Sequence, residues 1–564
     1  MKQTMKKCLT LLLALALLFT MAVPAAAAPA TYNKKITFTD VAQGDTVKAY
    51  KLVGYDTNYN AYEYHQDFKT FVDTEYAHAG KTTEQYLNSL VPSHMAALLA
   101  WYVNLCQIGV LGHKPYTLPA DPVTGTADAS NQVTLTLEPG YYVVLGSTTA
   151  TNDRTYQLTS VFVQVKNGVA KVIATDGKTE ITDGMVQFKH TDGPIISMSV
   201  KDDKGAPAAW KGAAAGQVGE VLDFYIHLKL PDYNNDNVYM TKLALNNTLK
   251  GLQYVENSAG VYNTEEIAGA THIDNAVTVD TVSAYANGSQ TVTFNVDYHK
   301  IKTIGAPVSA YIHFKAKVMP EAAAAGKTAT AETKLDYTFS LEPTVVKTTA
   351  ATTATVYTYA FSLAKTSDEA DGATGFKPLT NAGFTLYTDA EMTTANAVSM
   401  IKETVGGETY YRPALAGETG ETVLSADIGA DQNTLLVRGL DAATYYLKET
   451  KVPSGYYAPK GGFAVQLTGE RDAHTLNGKL DAATSKFTAT NPTTDGVLIN
   501  RSGLNITEKN RLDASLKNSS TPVLPTTGGV GTVIFTVVGL LCMGAALWFF
   551  LFARRRSKDE QEQG

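Results

Sequence analysis

The feature that most constrains the fold of this chain is a long apolar run near the C-terminus, from Val530 to Phe552, which contains no charged residue. A helix of this length crosses the hydrocarbon core of a bilayer, so we predict a transmembrane helix over residues 530–552. Three arginines follow within four residues, and such residues are retained on the cytoplasmic side of a membrane. We therefore expect residues 553–564 to form a cytoplasmic basic tail and the rest of the chain to lie outside the cell.

The N-terminus carries a second targeting pattern. Lysines precede an apolar stretch from Leu9 to Val23, and alanines occupy positions 25–28. This order is typical of a secretory signal peptide, which we predict over residues 1–28 and exclude from the fold. We expect the mature chain to be exported and to remain tethered by its C-terminus.

Charge and cysteine content narrow the class of protein. The net charge is −7 and only 18% of residues are charged, which does not indicate nucleic-acid binding. Cys8 lies in the signal and Cys542 in the apolar run, so Cys106 is the only exported cysteine. No intrachain disulfide is possible, and an extracellular protein of this size needs another means of stabilisation.

The exported part is predicted to be mostly β. Residues 31–190 form the first predicted domain, with alternating or β-branched runs at 133–137, 141–145 and 161–165 that indicate strands. Apolar residues at helical spacing predict one helix at about 83–106, in which Pro92 is a possible break. The first domain is thus expected to be a β domain with a helical insert.

Two further domains are predicted. Residues 194–345 contain short β-branched and aromatic runs with turn signals such as Asn287-Gly288, which favours a β-sandwich. The Thr/Ala stretch 348–355 is either a linker or an edge strand, and the third domain spans 357–518. The predicted fold class is a tandem of immunoglobulin-like β-sandwich domains between a signal peptide and a transmembrane helix.

A pentapeptide directly before the apolar run carries the most specific chemistry. It consists of Leu524, Pro525, Thr526, Thr527 and Gly528, and it resembles the LPxTG cell-wall sorting signal of Gram-positive surface proteins. The resemblance implies that the cysteine of a membrane-bound sortase attacks the Thr527–Gly528 bond and holds Thr527 as a thioester. An amine then attacks this thioester and forms an amide with Thr527. Proline fixes its own φ and restricts the preceding residue, so the site would be extended and bent.

Three motifs in the third domain occur in the order found in one known family. They are Leu363–Thr366, Pro378–Leu386 and Tyr446–Thr450, the last continued by Pro-Ser-Gly-Tyr at 453–456. Together they resemble the collagen-adhesin B-type, prealbumin-like domains. The resemblance implies an intramolecular isopeptide bond, in which the amine of Lys365 attacks an asparagine amide, ammonia leaves and Glu449 assists.

The strand pattern supports this chemistry independently. Residues two apart share a face, so Lys365 extends the apolar face of Phe361 and Leu363, and Glu449 extends that of Tyr445 and Leu447. Burial lowers the pKa of a lysine and raises that of a glutamate, which favours a neutral nucleophile and a proton donor. A buried Lys–Glu pair without a bond is the alternative, although such a pair rarely repays its desolvation.

The asparagine partner has three candidates. Asn518 closes the apolar face of Leu512, Ala514 and Leu516 at the end of the last predicted strand, where the family has its acceptor. Asn500, which follows an apolar triplet, is the second candidate and Asn510 is the third.

The second domain resembles the isopeptide-forming domain of fimbrial subunits but lacks the reactive residues. Met198 stands where that family usually has lysine, Asn247 where it has aspartate, and Phe339 where it has the acceptor asparagine. We therefore predict the fold without the cross-link, with two apolar replacements that suit a repacked core.

Taken together, the chain resembles a sortase-assembled pilin, most like a backbone (major) subunit that supports adhesion and colonisation. The resemblance implies a pilin sortase, a housekeeping sortase, identical and minor pilins, and peptidoglycan as partners, with a host surface ligand as a further possibility. Subunits would be joined through a lysine side chain. The family's V-Y-P-K motif is absent, so Lys166, in Val163–Lys166, is the first candidate, with Lys178 and Lys189 as rivals.

Enzymatic function is not indicated. The sequence contains no P-loop, G-x-S-x-G elbow or H-E-x-x-H motif, and its histidines lack zinc spacing, so we expect no cofactor and no metal. A monomeric wall-anchored adhesin, or a basal or tip pilin, is the alternative to the backbone subunit.

Overall fold

The structure is a computed structural model of the whole chain. The residues it describes are 32–56, 61–75, 80–89, 92–107, 116–149, 153–166, 168–173, 179–203, 209–232, 239–372, 375–428, 433–459, 461–490, 499–505, 507–520 and 530–559. The predicted signal peptide and the pentapeptide 524–528 lie outside these ranges.

The chain divides into two compact units. The first comprises residues 1–357 with 472–476, and the second comprises 358–471 with 477–564. The first two predicted domains, 31–190 and 194–345, fall in the first unit, and their boundaries stay a prediction.

The N-terminal part of the first unit contains eleven strands and three helices among its described residues. These are β1 (Lys34–Thr39), β2 (Thr46–Asp56), β3 (Ala61–Tyr64), α1 (Gln66–Glu75), α2 (Thr83–Ser89), α3 (Pro92–Gln107), β4 (Val123–Thr126), β5 (Gln132–Leu137), β6 (Gly140–Ser147), β7 (Thr155–Tyr156), β8 (Thr159–Lys166), β9 (Val169–Ile173), β10 (Met185–Gln187) and β11 (His190–Thr191). Sheets run β3-β2-β6-β8-β9 and β10-β1-β5, and β7 pairs with β11 in a short ribbon. All three predicted strand regions are strands in the structure.

The helical insert covers the helix predicted at 83–106, with residues 90 and 91 outside the described ranges. It consists of α2 and α3, and α3 begins at Pro92. Proline has no N–H to donate and fits the first turn of a helix, which is its place in α3. The preceding helix α1, which was not predicted, buries Phe68 and Phe71.

The second part of the first unit is a two-sheet structure. Its elements are β12 (Ile195–Asp202), β13 (Ala209–Lys211), β14 (Ala213–Ala215), β15 (Val221–Leu230), β16 (Met240–Lys250), β17 (Leu252–Tyr254), β18 (Gly260–Tyr262), β19 (Val277–Val282), β20 (Ser289–Val296), α4 (Tyr298–Ile301), β21 (Val308–Val318), β22 (Ala329–Phe339), β23 (Glu342–Thr348) and β24 (Thr352–Tyr357), with 3-10 turns at Lys302–Ile304 and Pro320–Ala323. One sheet has the order β13-β12-β15-β21-β17, and the other has the order β14-β24-β22-β16-β20-β19.

The stretch 348–355 is neither a linker nor an edge strand. Thr348 ends β23, residues 349–351 connect the two strands, and residues 352–355 belong to β24, which lies between β14 and β22 in the sheet. Ala354 and Val356 point into the core and are fully buried. Small and β-branched residues fit this interior position because the strand is packed closely on one face.

The second unit contains the third predicted domain except for residues 357 and 472–476, which belong to the first unit. Strands from this part of the chain are β25 (Tyr359–Asp371), β26 (Gly375–Pro378), β27 (Gly383–Tyr387), β28 (Met400–Val405), β29 (Glu408–Pro413), β30 (Leu424–Ser425), β31 (Thr434–Leu440), β32 (Thr444–Lys451), β33 (Phe463–Gln466), β34 (Gly469–Asp472), β35 (Thr475–Leu480), β36 (Lys486–Ala489), β37 (Ile499–Leu504) and β38 (Arg511–Asn518), with a 3-10 turn at Thr394–Asn396. The sheets run β28-β29-β31-β25-β38-β37 and β30-β27-β32-β33-β36. The expectation of a mostly β chain is confirmed.

The C-terminal run forms a helix, α5 (Val530–Asp559). Within it, Ile534–Phe552 is a stretch of 19 residues with mean hydropathy 2.3, and none of these residues is buried. Length and composition make this segment long and apolar enough to cross a membrane.

Candidate functional site

Three strands of the second unit converge on a buried polar site. In the first sheet, β25 and β38 run parallel, and Lys365 is the direct neighbour of Leu516. Asn518 lies two residues further along β38, on the same face. Glu449 comes from β32 of the facing sheet, so the site lies between the two layers.

The three polar side chains are almost completely removed from solvent. Relative exposure is 0% for Lys365, 6% for Glu449 and 1% for Asn518. The Lys365 Nζ lies 3.9 Å from Glu449 Oε2, and Asn518 Nδ2 donates to Glu449 Oε1 at 2.9 Å. Glu449 Oε2 and Asn518 Oδ1 are buried without a hydrogen-bond partner. Buried polar atoms without partners are costly, so this site is under-satisfied as it stands.

The backbone of the lysine is held firmly. Asn433, which directly precedes β31, accepts from the Lys365 backbone N–H at 2.7 Å through its carbonyl, and its side-chain amide donates back to the Lys365 carbonyl at 3.0 Å. The N–H of Leu379 also donates to that carbonyl at 3.0 Å. These contacts fix the Cα of Lys365, while Nζ donates to the Leu516 carbonyl at 3.2 Å.

Burial shifts the protonation of the pair in opposite directions. Desolvation lowers the pKa of Lys365 to about 8, although the carboxylate of Glu449 acts against this shift. Desolvation raises the pKa of Glu449, and Lys365 and the amide of Asn518 oppose that change. Both shifts favour the neutral forms, which are the forms that can exchange a proton.

The alternative asparagines occupy different positions. Asn510 precedes the start of β38, and its amide donates to the Thr358 carbonyl at 3.3 Å. It is six residues from Leu516, or roughly 20 Å along an extended strand. Asn500 lies in β37, whose backbone pairs with β38 beside Leu516, and its side chain is outside the described residues.

In the second domain, the residues that replace the reactive set of the fimbrial family are all buried. Met198, Asn247 and Phe339 are 4%, 2% and 0% exposed. The Asn247 amide donates to the carbonyls of Leu245 and Val292. Every lysine that the structure describes between residues 194 and 343 is at least partly exposed. The buried Lys347 follows this range in β23, and its Nζ lies 5.4 Å from the centroid of the Phe339 ring.

Of the three candidate acceptor lysines, Lys189 is the one whose side chain the structure describes. Lys178 lies outside the described residues, and Lys166 ends β8 with a side chain that is not described. Lys189 is exposed, and it directly follows Phe188, which is fully buried. Its backbone carbonyl accepts from the N–H of Gln157 at 2.9 Å.

Sequence reasoning missed a second buried ion pair, in the first unit. Lys347 and Glu342 are 1% and 6% exposed, and both belong to β23. Neither residue belongs to a family motif. The two buried positions are an odd number of residues apart in β23, so they do not follow the alternation of inward-facing side chains that marks a regular strand. In the part of the chain that the structure describes, no group of three or more His, Cys, Asp or Glu side chains is arranged to hold a metal ion.

Comparison with known protein families gives two matches. Residues 516–559 match the LPXTG cell wall anchor motif, and residues 365–479 match the prealbumin-like fold domain of the SpaA type. No curated protein matches the chain significantly.

Solved structures of similar fold include several pilins. The T6 backbone pilin of serotype M6 Streptococcus pyogenes is 16% identical, with 78% of this chain and 81% of that chain covered and a TM-score of 0.46. The full-length major pilin SpaD of Corynebacterium diphtheriae is 14% identical over 86% of this chain and 97% of that one, with a TM-score of 0.43. The major pilin SpaA of the same species is 13% identical over 86% and 99%, with a TM-score of 0.40.

The anchor motif and the apolar helix define the class: this is a cell-wall-anchored surface protein of the Gram-positive type, with a membrane-tethered precursor. Within that class, the chain carries a SpaA-type prealbumin-like domain over residues 365–479, on the N-terminal side of its anchor.

Proposed function

We propose that this chain is the backbone subunit of a covalently polymerised pilus. Sortase would cleave Thr527–Gly528 and join Thr527 to a lysine side chain of the next subunit. A housekeeping sortase would join the last subunit to peptidoglycan. The buried set of Lys365, Glu449 and Asn518, in a chain whose residues 516–559 match the wall anchor motif, is the observation that carries the proposal.

The chemistry of that set is an intramolecular isopeptide bond. The neutral amine of Lys365 attacks the Cγ of Asn518, Glu449 gives its proton to the departing nitrogen and takes up the proton that the attacking nitrogen loses, and the Cγ–Nδ2 bond breaks so that ammonia leaves as the new amide forms. Protonated Glu449 can also polarise the carbonyl, because rotating the amide of Asn518 would bring Oδ1 against the carboxyl group that Nδ2 now contacts. Loss of the amine charge removes the cost of a buried cation.

A bond at this position suits a protein under tension. Its two strands, β25 and β38, are the first and last of the third domain and lie side by side. Force entering at residue 358 would pass through Lys365 and Asn518 towards the anchor, so residues 366–517 would be outside the path of tension. Sequence separation is large, so the bond would also reduce the entropy of the unfolded chain.

For the polymerisation site, we propose Lys189. An acceptor amine has to be exposed and held on an ordered backbone, and Lys189 meets both requirements. Phe188 beside it is stacked on Tyr156, with ring centroids 5.0 Å apart.

The test is a gel of wall extracts from cells that express the full chain. The proposal predicts a ladder of SDS-resistant polymers that disappears in Lys189→Ala and persists in Lys166→Ala. Signal at the monomer mass alone in wild type would identify a monomeric adhesin instead. If cells that lack this chain still form the ladder, and cells that express it attach it to that ladder, the chain would be identified as a minor pilin.

A further inference from the structure

The buried ion pair of β23 has no part in the cross-link proposed above. Lys347 Nζ lies 3.9 Å from Glu342 Oε2, and the side chains are 2% and 5% exposed. Burial lowers the pKa of Lys347 and raises that of Glu342, with the opposite charge of each partner acting against the shift. A buried pair is rarely favourable without further hydrogen bonds, so its other contacts are informative.

Those contacts lie in the N-terminal part of the first unit. Glu342 accepts from the backbone N–H of Thr148 at 2.8 Å and from its hydroxyl at 3.1 Å. Lys347 donates to the carbonyl of Arg154. Tyr337 of β22 donates its hydroxyl to the carbonyl of Asp153 at 3.4 Å. Lys347, Glu342 and Tyr337, which we call the junction latch, therefore hold both ends of the connection between β6 and β7.

The connection between β6 and β7, which the junction latch contacts, leads directly to the ribbon of β7 and β11. Tyr156 of β7 pairs with His190 of β11, and Gln157 donates its N–H to the Lys189 carbonyl at 2.9 Å. The Tyr156 hydroxyl is fixed in turn by the carboxylate of Asp45, at 2.7 Å. The exposed Lys189 thus lies on a backbone whose partner strand is attached to the second domain.

The connection after the ribbon is also closely packed. A Cβ added to Gly193 would lie 2.5 Å from the Asp153 carbonyl oxygen and 2.6 Å from the Tyr337 hydroxyl. These two atoms form the hydrogen bond between Tyr337 of the junction latch and Asp153. A side chain at position 193 would force them apart, so the linker that follows Lys189 depends on the same contact.

We propose that the junction latch is a positioning device for the acceptor lysine, which holds Lys189 in place only while the second domain is docked on the first. This inference rests on the proposed role of Lys189. In the joining step, the Lys189 amine attacks the thioester carbonyl of Thr527 from another subunit. The amide forms, the sortase thiol leaves, and the amine proton passes to solvent. A fixed amine reacts faster because its orientation is set in advance.

The experiment uses cells that express the full-length chain with Glu342→Gln and Lys347→Met together, so that no unpaired charge is left buried. The readout is the ratio of polymer to wall-anchored monomer, since a general folding defect lowers both species. We expect this ratio to fall roughly tenfold or more. In a separate variant, Lys347→Arg with Glu342 unchanged keeps a donor for the Arg154 carbonyl. This variant should have most of the wild-type ratio of polymer to monomer.

The matched control is the exposed pair of the same unit, Lys171 and Glu180, whose Nζ–Oε2 distance is 2.6 Å. Its double replacement, Lys171→Met with Glu180→Gln, should leave the ratio unchanged. A normal ratio in the latch variant, while Lys189→Ala abolishes the ladder, would overturn the positioning role and leave the proposed function intact. A ladder that survives Lys189→Ala would overturn the acceptor assignment and, with it, this inference.

Discussion

Replacing Glu449 by alanine tests the isopeptide bond most directly. Among the described side chains, Glu449 contacts both Lys365 and Asn518 and is the acid placed to carry the proton to the leaving nitrogen, so the bond should not form without its carboxyl group. The mature wild-type chain should therefore be lighter than its sequence mass by one ammonia, and the Glu449→Ala chain should have its full sequence mass. Intact-mass spectrometry distinguishes these results.

The loss of stability can be worked out from the position of the bond. It would close a loop of about 150 residues, which corresponds to roughly 5 kcal/mol of unfolded-state entropy at 25 °C. In a domain of this size each kcal/mol shifts Tm by about 2–4 °C, so the third domain should melt about 10–20 °C lower. Lys365 is then buried without a counter-charge, which adds to the loss.

A second ion pair of the same unit provides the control. Arg438 is 1% exposed, and its Nη2 contacts both carboxylate oxygens of Glu508 at 2.9 Å. Glu508→Ala should lower Tm through the lost ion pair and still show the loss of one ammonia. If wild type has its full sequence mass, or if Glu449→Ala still loses ammonia, the chemistry assigned to the site is wrong.

The remaining predictions concern the anchor, the second domain and pH. Leu524→Ala should leave the protein unprocessed in the membrane fraction, and normal release of wall-linked material from such cells would refute the sorting assignment. Residues 194–343 should carry no cross-link, which a branched tryptic peptide from that region would contradict. On refolding, the cross-linking rate should be highest between the raised pKa of Glu449 and the pKa of about 8 for Lys365. Below this window the amine is protonated, and above it Glu449 has no proton to give; a rate that keeps rising at higher pH would contradict this.

Several features could be predicted because local sequence decides them. In a membrane, a single apolar run such as 530–552 can satisfy its backbone hydrogen bonds only as a helix, and α5 covers this run. Strand alternation placed Lys365, Glu449 and Asn518 on inward faces, since side chains two apart always share a face. The even spacing along 133–137 likewise marked a strand.

Other features depend on which strands become neighbours, and local pattern carries no information on that. The parallel pairing of β25 with β38 decides that Asn518, and not Asn510, lies near Lys365. The insertion of β24 between β14 and β22 turned an expected linker or edge into a sheet interior. The latch contacts of Lys347 and Glu342 join residues almost two hundred positions apart. Only tertiary packing brings such groups together, because the intervening sequence does not determine the distance between them.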